Sequence, residues 1–379
     1  MTRLGEVATY INGFAFAPED WSENGLPIIR IQDLTGNSYQ MNRYAGEYNP
    51  KYEVNRGDVL ISWSASLGVY VWQGERALLN QHIFKVVFDK CEVDKSFYVH
   101  QVADILEKAA SQAHGATMKH LTKPVFDALP FYLPDLPTQQ RIADTLDKVS
   151  EGIEVCRKML GELDLMVKAK FVEMFGDPTG NSFNLSVKPM TEVCEIIDGD
   201  RGKNYPNADE FSDEGYCLFL NAKNVTASGF NFDNCMYITK EKDDILRKGK
   251  LSRGDVVLTT RGTIGNLAFY TSDIPYEHMR INSGMVILRM NRKIINEVFF
   301  IEQFKMLLDD IKQKNASGSA QPQLPISAMR EINILLPDIE QQKIFSEFVA
   351  KSNKSRLTLQ QVLSKIELEQ KVLMQKYFG

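Results

Sequence analysis

Two sets of polar side chains in this 379-residue sequence are of the types that bind without reacting. In the first half they are Arg30, Gln32, Asp33, Ser62, Trp63, Ser64, Ser66, Gln81, His82, Lys119 and His120. In the second half they are Asn221, Lys223, Asn224, Arg261, Thr263, Asn266, Arg280, Asn282, Ser317, Ser319, Gln321 and Gln323. Arginine and lysine match guanine O6 and N7, asparagine and glutamine match adenine N6 and N7, and hydroxyls bond to either or to phosphate. The two sets hold matching places in a duplicated sequence. Thr260-Arg261-Gly262-Thr263 stands where the first half has Trp63-Ser64-Ala65-Ser66. A repeated frame with altered loop tips points to two related sites with different preferences.

Signatures of catalysis are missing. No G-x-x-x-x-G-K-[ST] loop offers a cradle for ATP phosphates, and no G-x-G-x-x-G opens a dinucleotide-binding unit. The five histidines lack metalloprotease spacing. The five cysteines form no C-x-x-C pair, which argues against a zinc site and against a disulfide framework. Asn49-Pro50-Lys51-Tyr52 comes near the Asn-Pro-Pro-aromatic element of amino-methyltransferases, but Lys51 replaces the second proline, so a turn is expected. Asp338, Glu340 and Lys343 suggest a nuclease carboxylate cluster, yet Asp338 with Gln341 three residues on has capping-box spacing at a helix start. No enzyme activity, cofactor or metal is expected of this chain.

A net charge of −5 argues against a chain that coats nucleic acid by bulk charge, though not against a reader with local basic groups. With 25% charged and 44% hydrophobic residues, the composition is that of an ordinary globular protein with material for more than one core. No apolar run reaches the roughly 18 residues of a membrane span, and Met1–Glu6 begins no signal-peptide core. A reducing cytoplasm is expected, with no membrane partner.

The elements that must position these residues are written twice. Gly5–Gly13 is echoed by Thr191–Gly199, Ile29–Thr35 by Leu220–Thr226, Arg56–Ser62 by Arg253–Thr259, and Asn80–Phe84 by Asn282–Val286. Arg-Gly-Asp before an apolar strand predicts a tight turn in which Gly57 and Gly254 supply positive φ. A helix is expected near Phe97–Ala110 and again near Asn296–Lys314. After each, a Leu-Pro-Asp opening leads into a long helix. In the first of these, Pro137–Phe175, apolar residues fall at Ile142, Leu146, Val149, Ile153, Cys156, Leu160, Leu163, Val167, Phe171 and Met174. Steps of three and four make a heptad seam on a rod roughly 55–60 Å long at 1.5 Å per residue. The second carries Phe345, Val349, Leu359, Leu363, Ile366 and Leu373, and two matched seams in one chain predict that the helices pack on each other. The expected fold is α+β: globular domains over 1–136 and 178–337, with long spacer helices over 137–177 and 338–379.

Together, the duplicated Arg-Gly-Asp-Val strands, the Thr260–Gly265 loop, the Ala316–Leu324 segment and the Leu-Pro-Asp and Gln-Gln openings of both helices resemble the specificity subunit of type I restriction-modification systems. The first half departs at Trp63-Ser64 and at His114-Gly115-Ala116-Thr117. The resemblance implies two target-recognition domains, each reading one half of a split double-stranded DNA sequence, and an antiparallel coiled coil that sets their spacing. It also implies partners: two modification subunits carrying S-adenosylmethionine and adenine methyl transfer, and restriction subunits using ATP and Mg. Two other classes stand beside it, a coiled-coil scaffold without DNA specificity and a methyltransferase or nuclease with an unfamiliar motif. Sequence-selective DNA binding separates the first reading from the scaffold, and activity of the isolated chain separates it from the enzyme.

Overall fold

The computed structural model describes residues 2–36, 40–112, 122–315 and 323–379. The chain divides into two compact units, residues 1–158 with 360–379, and residues 159–359.

In the first unit, strands β1 (Thr9–Asn12), β2 (Leu26–Ile29), β3 (Val59–Ser62), β4 (Gly68–Val71), β5 (Ala77–Leu79) and β6 (Ile83–Val87) form two sheets. One is antiparallel in the order β1-β6-β3-β4; the other pairs β2 with β5 in parallel, flanked by Arg43–Tyr44 and Glu53–Val54. Strand β3 explains why its sequence is a continuous apolar run instead of an alternation. Val59 and Ile61 face a core shared with α1 (Lys95–Gln112), while Leu60 packs with Ile29 and Leu79 of the second sheet. A strand covered on both faces has no polar side to display. Gly57 (φ +92°) turns the chain into this strand and donates to Trp72 O at 2.7 Å.

The second unit repeats the plan with β7 (Cys194–Asp198), β8 (Cys217–Leu220), β9 (Val256–Thr259), β10 (Leu267–Phe269), β11 (Met279–Ile281) and β12 (Met285–Met290). Its antiparallel sheet runs β7-β12-β9-β10, and β8 and β11 are the parallel pair. Val256 and Leu258 face the helix-side core, and Val257 faces the second sheet. Gly254 (φ +95°) donates to Tyr270 O at 2.8 Å. The helix on the first core is α3 (Glu297–Asn315) in this unit.

The two long helices are α2 (Leu136–Phe175) and α4 (Ile339–Phe378), and every seam residue of α2 is buried or half-buried. In the first unit Ser150 meets Gln370 at 3.1 Å and Arg157 meets Glu367 at 2.8 Å. In the second unit Asp164 pairs with Arg356, and the Phe171 and Phe345 rings are 5.4 Å apart. Within each unit a rising number on one helix meets a falling number on the other, so the pairing is antiparallel, with contacts seven residues apart along α2 as a heptad seam requires. Gly176 (φ +76°) ends α2, with its N–H on Val172 O at 2.9 Å.

The openings of these helices are fixed by one device used twice. Gln139 is 1% exposed; its amide accepts from Asp94 N at 2.8 Å and donates to Pro134 O at 2.8 Å. Fully buried Gln342 accepts from Asn296 N at 2.9 Å and donates to Pro337 O at 2.8 Å. At the start of α4 the Asp338 backbone carbonyl accepts from Gln342 N at 3.1 Å, and among the described residues its carboxylate makes no capping bond. Asn49-Pro50-Lys51-Tyr52 is a turn in which Asn49 Oδ1 accepts from Lys51 N at 3.1 Å.

Candidate nucleic-acid interface

In each unit the strand ends β1/β3/β6 or β7/β9/β12 come together at one end of the antiparallel sheet, as the register Asn12↔Phe84 and Ser62↔Ile83, or Asp198↔Val286 and Thr259↔Met285, dictates. The loops leaving this end carry Trp63, Ser64, Ser66, Gln81 and His82 in one unit and Arg261, Thr263, Asn266 and Asn282 in the other. Arg30, Gln32 and Asp33, and Asn221, Lys223 and Asn224, instead follow β2 and β8 of the second sheets. Both tips share a backbone frame. The Ser62 hydroxyl donates to Ser66 O, and the Thr259 hydroxyl to Thr263 O. Trp63 N donates to His82 O at 3.2 Å, and Thr260 N to Gly284 O at 2.9 Å. Asn80 N donates to Ile29 O at 3.2 Å, and Asn282 N to Leu220 O at 3.1 Å. Ala65 and Gly262 both adopt left-handed backbone, with φ of +58° and +72°. Gly13 and Gly199 sit so close to the 80 and 282 loops that a Cβ would lie 1.9 Å from Asn80 O or 2.2 Å from Asn282 O.

On this frame the first tip is aromatic. The Trp63 ring stacks near Phe84 with centroids 5.7 Å apart, meets His82 edge-on at 4.9 Å, and donates Nε1–H to Asn12 Oδ1 at 3.1 Å. Gln81 is exposed, and its N–H bonds at 2.8 Å to the carbonyl of Phe14, itself 44% exposed. Gln32 and Ser66 are also exposed. Ser62 and Ser64 are buried, and Asp33 accepts from Arg30 N at 2.8 Å with its side chain nearly enclosed. The Arg30 guanidinium lies 5.5 Å from the Trp21 ring centre.

The second tip is charged. Arg261 and Thr263 are exposed on the β9–β10 loop, and Lys223 is exposed beside Asn221, whose Oδ1 accepts from Lys223 N at 2.9 Å. Arg261 bridges Gln323 through the backbone, and Leu324 N donates to Thr260 O at 3.1 Å. Asp198, Arg201, Thr260, Arg261 and Gln323 line a cleft of about 220 Å³. Arg201 was not predicted from sequence; its Nη2 donates to Asp198 Oδ1 and to Ser283 O, each at 3.2 Å. The preceding Asp200 is buried and accepts from Arg247 N at 2.6 Å. Burial opposes its charge, but the N–H groups of Arg247, Lys248 and Arg201 hold its carboxyl below the usual range.

Several predicted contacts serve the frame. Arg280 is the clearest correction: it is 4% exposed, and its guanidinium bonds to the Asp243 carboxylate and to the carbonyls of Asp243, Leu246 and Lys248. A guanidinium surrounded by acceptors inside the fold cannot reach a base. Asn224 is fully buried, with Oδ1 on Asn221 N and Nδ2 on Asn231 O and Asn234 O. Asn266 Nδ2 donates to Val225 O at 2.9 Å, and Asn282 Oδ1 accepts from Gly284 N at 2.9 Å. Lys119, His120, Ser317, Ser319 and Gln321 lie outside the described residues. Among the described residues no cluster of His, Cys, Asp and Glu has the makings of a metal site, and no helix is long and apolar enough to cross a membrane.

The two-sheet frame occurs once in each unit, with unlike polar tips, and each unit holds a stretch of the paired long helices. Comparison with known families agrees. The model of the type I restriction modification DNA specificity domain matches residues 1–164 and again 184–370. The chain is 23% identical to the type I restriction enzyme EcoBI specificity subunit of Escherichia coli, over 89% of this chain and 76% of that protein. It is 23% identical to the MjaVIII specificity subunit of Methanocaldococcus jannaschii, over 92% and 84%. Among solved structures, the S subunit of a type I restriction-modification system from M. genitalium superposes over all of this chain and 95% of its own with a TM-score of 0.53 at 17% identity. A structure described as showing complex assembly and conformational transition of the type I system superposes with a TM-score of 0.54 at 15% identity, over all of this chain and 96% of that one. The chain belongs to the family of type I restriction-modification specificity subunits. It is a DNA-recognition subunit with two specificity domains, acts within a type I complex, and is not itself the catalyst.

Proposed function

We propose that residues 1–136 and 178–337 are target-recognition domains, each reading one half of a split duplex sequence through the tip of its antiparallel sheet, with the helices over 137–177 and 338–379 setting the distance between halves. The observation that supports this most is the repeated backbone frame with dissimilar exposed side chains. On this reading Gln32, Ser66 and Gln81 in one domain, and Lys223, Arg261 and Thr263 in the other, reach the DNA. Trp63, His82 and Arg30 shape the first surface, and Lys119, His120, Ser317, Ser319, Gln321 and Gln323 extend the two sites. A stiff helix pair fixes both separation and rotational phase along a duplex, so the spacer follows from geometry.

The chain works in the cytoplasm with two modification subunits, which bind S-adenosylmethionine and methylate adenine, and with restriction subunits that use ATP and Mg. An acidic subunit suits this assembly because its partners supply most of the phosphate neutralisation. The test is to map methylated adenine genome-wide in cells holding the modification subunit, with and without this gene. Methylation of one split sequence should appear only with the gene. An unchanged methylome beside a demonstrably active modification subunit would favour the scaffold reading. Inserting seven residues into the middle of α2, with seven in the facing part of α4, should lengthen the spacer and leave both half-sequences intact.

A further inference from the structure

Resting on that reading, we propose that Arg201 and Arg261, gathered with Asp198 around the 220 Å³ cleft, read a G·C pair, so that the half-sequence assigned to the second unit requires a guanine. Arg201 is 50% exposed, and its hydrogen bonds to protein use Nη2 alone. The remaining N–H groups of its planar fork suit the adjacent O6 and N7 acceptors of guanine. Arg261 is an exposed residue lining the same cleft, and among the described residues its guanidinium has no protein partner.

The carboxylate of Asp198 decides between base and phosphate. A phosphate entering the cleft would meet this negative charge, whereas a G·C pair presents guanine acceptors to the arginines and a cytosine N4–H donor to an acidic group. Asp198 is thus a positioning residue: it draws Nη2 of Arg201 to one side, Ser283 O holds the same nitrogen, and the fork is aimed before DNA arrives. The loop carrying Arg201 is anchored by Asp200 on Arg247 N. In the first unit the place of Asp198 is taken by Asn12, which accepts from the Trp63 indole. Among the described residues no arginine bonds to Asn12, so the guanine requirement is assigned to the second half alone.

The test uses the complex reconstituted with its modification subunit, and 30-base-pair duplexes bearing the mapped sequence with single replacements of guanine by 7-deazaguanine, which lacks the N7 acceptor. For the natural protein, methylation should fall roughly 5- to 150-fold at one guanine of the second half, the range one bidentate arginine–guanine contact gives. Arg201→Lys should abolish that sensitivity at the same position while leaving the other half and the spacer unchanged. Asp198→Asn should weaken it there, with an unchanged melting temperature. Arg261→Lys, at an exposed loop tip, carries the same expectation if an Arg201 variant fails to fold. Full sensitivity retained in Arg201→Lys and Arg261→Lys, or a second half containing no guanine, overturns the assignment. Absence of any split sequence for the natural protein would instead overturn the two-reader function.

Discussion

At the end of the first strand of each antiparallel sheet stands a short polar side chain, Asn12 in one unit and Asp198 in the other. The neutral amide accepts from the neutral indole of Trp63, and the carboxylate accepts from the guanidinium of Arg201. Around them the backbone bonds are the same, from the Ser62 and Thr259 hydroxyls to the N–H groups of Trp63 and Thr260. The difference teaches that the frame and the surface it presents are separable. Where the partner carries charge, the strand-end residue carries the opposite charge; where it does not, an amide suffices.

This comparison can be broken most forcefully at Asp243. Its carboxylate is fully buried against Arg280 and Lys250, on a helix (Lys240–Ile245) where the first unit has the short turn Pro50–Tyr52. Asp243→Ala should destabilise the second unit by ~3–5 kcal/mol, because a buried guanidinium is left without its counter-charge, and leave the first unit unaffected. Tryptophan fluorescence reports the first unit alone, since Trp21, Trp63 and Trp72 all lie there. Denaturant unfolding read by that signal should be unchanged, while hydrogen exchange of second-unit amides should show the loss. Burial opposes the charge on Asp243, but Lys250 and Arg280 hold its carboxyl below the ordinary range. Its folded-state pKa is therefore lower than the unfolded one, so the stabilisation is complete above about pH 4 and is lost as pH falls through the folded value. The second unit should lose more stability in acid than Asp243→Asn does.

A smaller and symmetric effect is expected at the glutamine clasps. Gln139→Ala and Gln342→Ala each strand an N–H, of Asp94 or Asn296, and should each cost ~1–2 kcal/mol. Similar costs in both units would sharpen the idea of a common frame; a large cost in one alone would contradict it. The smallest effect separates the loop tips. Gly262→Ala places a Cβ with nothing within 4 Å, so only left-handed backbone strain opposes it, ~1 kcal/mol. Ala65→Gly should move stability by a similar or smaller amount in the opposite direction, read as opposite shifts in melting temperature.

Much of the frame was legible because it is written in periodic or backbone-specific signals. The seam from Ile142 to Met174 follows from spacing, and the turns at Gly57 and Gly254 follow from the need for positive φ. The site was legible only where loops align. Arg261 and Lys223 are exposed because they occupy tips between matched segments. Arg280 resembled a contact residue in the same register, but Asp243 arrives from the helix Lys240–Ile245, outside the matched sequence segments, and it draws the guanidinium inward. Arg201 escaped notice because the visible repeat stops at Gly199, two residues short of it. Gln139 and Gln342 were visible as punctuation, yet their partners Asp94 and Asn296 lie more than forty residues upstream (45 and 46 residues in sequence).

The hydroxyl bonds that build both tips and the clasps that open the long helices grip main-chain atoms: Ser62 and Thr259 reach carbonyls, Gln139 an N–H and a carbonyl, and Gln342 an N–H and two carbonyls. A grip on the main chain is indifferent to the side chains it carries. Point mutations at the tips can therefore accumulate without loosening the scaffold, and a lineage can drift to a new target by small steps, each of them a folded protein.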